Sequence, residues 1–132
     1  MSLKEIICKK QLDFLLIVST ASLYLLNNFI FKKISTGLTH YFLICYFNDL
    51  ICPLAFLAYV NIMLAFVQKQ LAKIYQILIF CFGCGLVWEF IAPLFKKNSV
   101  TDFYDLLCYC AGGMLYYAIK QLFLKKRKSN DP

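Results

Sequence analysis

Four long apolar runs joined by short connections constrain this chain more than any other feature. They cover about residues 12–31, 41–67, 74–95 and 103–124, and a basic tail follows at 125–132. A helix that crosses a bilayer needs about 20 mostly apolar residues. In hydrocarbon the backbone must satisfy its own hydrogen bonds, so such runs become helices. The chain is 61% hydrophobic and only 16% charged, too few charges to coat a water-soluble core of its size. These observations predict an all-α polytopic membrane protein built as a single membrane domain. The expected architecture is a four-transmembrane-helix antiparallel bundle with short loops, in which sequence neighbours pack together.

Lysine placement predicts the orientation. Of the 14 Lys and Arg, only Lys32, Lys33, Lys96 and Lys97 lie at the ends of the first and third runs. The rest lie in the N-terminal segment, the middle loop, the end of the fourth run and the tail. The positive-inside rule then puts both termini in the cytoplasm, with the cytoplasmic membrane as the expected location. The net charge of +7 is thus a topology signal first. It also suits a tail against anionic lipid, and a nucleic-acid role for Lys125-Lys126-Arg127-Lys128 is not expected beside a span. The first run reads as an uncleaved helix, because no small-x-small cleavage site follows it. The second run is longer than one span needs. Either it tilts, or residues 41–48 form an interfacial or re-entrant lead-in.

Two acids interrupt this apolar pattern, and each stands four residues before a proline: Asp49 before Pro53 and Glu89 before Pro93. A proline lacks the N–H that would bond the carbonyl four residues earlier. Carboxylate and freed carbonyl therefore coincide twice, at positions expensive to keep polar in lipid. The orientation gathers Asp49, Glu89, Asp102 and Asp105 at the outer level, together with Asn48 and His40. Asp102, Asp105, Tyr109, Gly112 and Tyr116 recur at steps of three and four, so they share a helix face. Cys81, Gly85 and Glu89 share another, continued by Ala92, and Cys45, Asp49 and Cys52 a third. Gly85, Gly112 and Gly113 are the expected close-packing points, and Pro53 and Pro93 the expected kinks. The expectation is an outward-facing polar pocket between the second, third and fourth spans, centred on Glu89. The basic side carries no comparable set.

Blander readings stand beside these. Asp102 and Asp105 also fit an N-cap and the acid of a capping box. His40 alone is an interfacial histidine before it is a metal ligand. Cys81-Phe82-Gly83-Cys84 lies inside an apolar run and lacks further ligands, so it reads as packable small residues. No metal or other cofactor is expected.

The stretch from Trp88 to Tyr117 resembles the VanZ-like family of small membrane proteins. The resemblance rests on Glu89 near the end of one span, a short loop, Asp102-x-x-Asp105 opening the last span, and then Gly112. Tyr109 stands where the pattern would place an asparagine, and Tyr116 where a second glycine is common. The resemblance implies a cell-envelope protein of a family whose founding member is linked to glycopeptide resistance.

Three functions fit these residues. The first is a non-enzymatic envelope protein whose acidic pocket binds a lipid headgroup, an envelope precursor or a cation. The second is a membrane enzyme using paired carboxylates or a metal. The third is a small transporter or transporter subunit, suggested by two acid-x-x-x-Pro elements on antiparallel spans. The expected partners are membrane lipids and a second copy or another membrane protein.

Overall fold

The computed structural model describes residues 10–95 and 102–130. Cys8, Lys4, Lys9, Lys96, Lys97 and the last two residues lie outside the described residues. The described elements are α1 (Gln11–Leu26), a π-helical turn (Asn27–Phe31), α2 (Lys32–Ile34), α3 (Gly37–Cys45), α4 (Phe47–Phe66), α5 (Ile74–Phe95) and α6 (Phe103–Asn130). No strand occurs among them. Three continuous stretches are long and apolar enough to cross a membrane: Gln11–Ile34, Gly37–Phe66 and Ile74–Phe95. The fourth long helix, α6, has 28 residues and ends in the basic tail.

Local chemistry explains how polar residues enter these helices. Ser19, Thr20 and Ser22 donate to the carbonyls of Leu15, Leu16 and Val18, at 2.8, 2.7 and 2.9 Å. Their hydroxyls are satisfied within α1 and ask nothing of the surroundings. The turn before α3 uses Gly37, whose φ of 65° suits a residue without a Cβ. Asp102 accepts from the Tyr104 N–H at 3.0 Å, the N-cap contact expected for the start of α6.

The second apolar run is not one straight helix. Tyr46 separates α3 from α4, with φ −118° and ψ −25°. The run therefore begins at Gly37 rather than Tyr41, with a helical lead-in ahead of the main helix. Cys45 belongs to α3, whereas Asp49 and Cys52 belong to α4. At its far end α4 stops in a Schellman motif. The Lys69 N–H bonds Leu64 O at 2.9 Å, the Gln68 N–H bonds Ala65 O at 3.1 Å, and Gln68 holds φ at 56°. A side chain in this conformation is strained, so Gln68→Gly is expected to stabilise the protein by roughly 0.5–1 kcal/mol. A thermal unfolding curve in detergent checks this, and a lowered midpoint would refute it.

The helices alternate in direction. Asp13, near the start of α1, meets α6 near its C-terminal half, and Asn61, late in α4, meets the same place. At the opposite level Asn27 reaches Asn48, and the Tyr46 and Tyr104 rings meet edge to face with centroids 6.3 Å apart. In space the order is α1, α4, α6, α5. The expectation that each span packs on its sequence neighbour therefore fails between the second and third. The fourth long helix lies between them, and only looser contacts such as the Phe56–Phe80 ring stack join them directly. The physical reason is glycine. Gly112 lets α6 approach α4 against the Leu50 carbonyl and the Pro53 ring, while Gly113 seats Cys81 and Ile77 of α5. The buried core follows from this order: Leu16, Leu54, Leu57, Ala58, Ile77, Cys81 and Tyr116.

Candidate functional site

Two polar groupings occupy opposite ends of the helices. At the Asp49 end, Asn27 is fully buried at the start of the π-helical turn. Its amide nitrogen donates to Leu43 O at 2.9 Å and to Asn48 Oδ1 at 3.0 Å. One side chain thus bridges α3 and α4 across the break at Tyr46. Asn27 Oδ1 is buried without a partner among the described residues. This is the kind of expense a chain keeps when the other half of the amide is needed.

Asp49 is half-buried in the first turn of α4. The Tyr109 hydroxyl is its nearby donor, and Asp105 and Glu89 lie within electrostatic reach. Glu89 lies near the backbone of Asp102, at the start of α6. It therefore sits where the positive end of α6 favours an anion, although it is carried near the C-terminal end of α5. Asp105, expected as the capping-box acid, points its charge into the same neighbourhood as Glu89 and Asp49. No three of the described His, Cys, Asp and Glu side chains group closely enough to hold a metal ion.

A cavity of about 560 Å³ opens beside Asp49. One wall is α1, through Ile17, Thr20, Ala21, Tyr24 and Leu25. The other is α4 from Asn48 to Ala55, with Trp88 of α5 and Tyr109 of α6 completing it. An acid, an amide and a phenol gather at one end, at Asp49, Asn48 and Tyr109. The remainder is largely aliphatic and aromatic, with the Cys52 thiol and with Thr20, whose hydroxyl is bonded to the Leu16 carbonyl, and it runs toward Ala55, six residues or about 9 Å along α4. The volume lies within the range of small-molecule sites, about 300–1,000 Å³.

At the Asp13 end the polar groups pack against one another. Asp13 is 1% exposed. It accepts from the Tyr116 hydroxyl at 2.6 Å and lies 3.8 and 3.6 Å from Lys10 and Lys120. Asn61 donates to the Tyr116 oxygen at 2.7 Å, and its Oδ1 takes the Leu71 N–H at 2.8 Å. Lys120 donates to the same tyrosine oxygen at 3.0 Å. One network therefore joins α1, α4, α6 and the loop before α5.

The structure sorts the residues singled out in the sequence. Asp49, Asn48 and Tyr109 line the cavity, with Asp105 and Glu89 behind them as neighbouring charges. Asp102 caps α6. His40 pairs with Ser35, 3.1 Å away in the turn before α3, and does not line the cavity. Pro53 and Gly112 touch each other, and Gly85 lies under Leu106. Pro93 is half-buried near the end of α5. The cavity opens on the α1 side of the acids, whereas the sequence pattern pointed between the second, third and fourth spans. Tyr24, Asn27 and the place of Trp88 on the cavity wall escaped the sequence reading, as did Asp13, Asn61 and Lys120 as partners of Tyr116. Amides inside apolar runs, at Asn27 and Asn61, carried the same signal as Asp49 and could have exposed two of them. Asp13 with Lys10, and Tyr116 with Lys120, stand at helical spacings of three and four.

Comparison of the chain with protein-family models, with curated proteins and with solved structures found no match.

Proposed function

We propose that this chain is a non-enzymatic, four-span membrane protein that takes up an amphiphile in the cavity between α1 and α4. The amphiphile's head lies at Asn48, Asp49 and Tyr109, and its chain runs toward Ala55. The proposal includes both termini in the cytoplasm, the cavity's polar end toward the outside, and the cell-envelope setting that the VanZ-like resemblance implies. One observation carries it: a cavity of ligand size with its acid, amide and phenol, Asp49, Asn48 and Tyr109, at one end of a largely apolar wall. That polarity matches a molecule with a head and a tail. The acids are best read as one lining carboxylate, Asp49, with Glu89 and Asp105 shaping its field.

Native mass spectrometry after gentle purification tests the proposal. The wild-type protein is expected to retain a lipid-mass adduct through detergent exchange. Ala55→Trp, which fills the cavity, is expected to lose it while keeping its thermal unfolding midpoint. An adduct that survives in a folded Ala55→Trp protein would sink the proposal.

A further inference from the structure

We propose that the head group received at Asp49 carries an ammonium group, primary or quaternary. This inference rests on the amphiphile reading above and specifies its chemistry.

Asp49 is the one carboxylate among the cavity's lining residues, and no basic side chain lines it among the described residues. The ion pairs present among the described residues belong to Asp13, at the opposite end. Glu89 and Asp105 lie within electrostatic reach of Asp49, so acidic groups are concentrated at the polar end. An anionic head would meet like charge there. Among the described residues no cation stands against the Asp49 carboxylate, and a neutral head would supply none. An ammonium supplies the missing charge and up to three N–H donors when primary. Three aromatic rings, Tyr24, Trp88 and Tyr109, stand on the same lining. Aromatic rings attract alkylammonium groups through their negative faces, and carboxylate beside aromatic rings is a recognised way to hold them. The amide of Asn48 is fixed by Asn27, which keeps that side of the head site in place.

Trp88 lines the cavity and is the only tryptophan in the chain, so its fluorescence reports on occupancy. The experiment places the full-length protein in nanodiscs of a neutral sugar-headed lipid. Amphiphiles with one identical brominated 16-carbon tail and a trimethylammonium, maltoside or sulfate head are then titrated in. The trimethylammonium compound is expected to quench Trp88 saturably, and roughly tenfold or more tighter than the maltoside. The sulfate is expected to be weakest. Asp49→Asn should erase the ranking of heads while the maltoside still binds. Asp105→Asn, which leaves the cavity wall intact, should narrow the ranking and stands in if Asp49→Asn does not fold. Equal affinity for the three heads, or a ranking unchanged in both variants, overturns the ammonium inference and leaves the amphiphile reading standing. Absence of saturable quenching by all three overturns both.

Discussion

Asp13→Ala is expected to destabilise the protein by roughly 3–5 kcal/mol, the usual loss when one partner of a buried ion pair is removed. Its side chain is only 2% exposed, and those of Lys10 and Lys120 are 10% and 15% exposed. Two lysines thus depend on one carboxylate, with little water to replace it. The same substitution strands the Tyr116 hydroxyl's 2.6 Å bond, in a residue with no exposed surface. Asp13→Asn keeps an acceptor for Tyr116 and should lose less. Tyr116→Phe keeps the ion pairs and removes the shared hydroxyl, for about 1–3 kcal/mol. Reversible unfolding in detergent, followed by circular dichroism, measures all three. A loss below about 1 kcal/mol for Asp13→Ala would mean that water reaches the lysines and the network is not buried in solution.

Gly112→Ala should cost on the order of 3 kcal/mol, the upper part of the usual range for forcing extra atoms into a packed interface. A Cβ there would run into the Leu50 carbonyl, with the Pro53 ring 3.0 Å away. Neither can rotate out of the way, since one is backbone and the other a ring tied to backbone. Helices α4 and α6 would have to separate, and both the Asp49–Tyr109 end and the Asn61–Tyr116 end depend on that interface. Gly83→Ala is the control. A Cβ at Gly83 meets nothing within 4 Å, so the substitution should be neutral or gain up to about 1 kcal/mol of helix propensity. Similar losses at both positions would show that glycine matters here for reasons other than close approach.

These two residues divide along the line between pattern and packing. Gly112 was conspicuous in the sequence because it shares a helical face with Asp105, Tyr109 and Tyr116. Its partner was not, since nothing in a periodicity states which helix will meet that face. Asp13 stands near the start of the first apolar run, and nothing in the local pattern sets it apart. Its burial follows from α6 bringing Tyr116 and Lys120 to it, across 103 and 107 positions of chain. Glu89 shows the same limit in reverse. Its place near the C-terminal end of α5 made it a conspicuous charge, yet it lies close to the start of α6, where a helix N-terminus favours an acid.

Apolar length and the breaks between runs were enough to establish a helical chain with membrane-length segments, because backbone hydrogen bonding and hydrophobic burial act on local stretches. They were also enough to mark Asp49, Asn48 and Tyr109 as polar oddities worth explaining. The helix order α1, α4, α6, α5, the side on which the cavity opens and the identity of the buried network were decided by tertiary packing. Close approach at Gly112 and Gly113 puts α6 between α4 and α5, and that single placement fixes which polar side chains meet. Such contacts join residues far apart in the chain, so no local pattern encodes them.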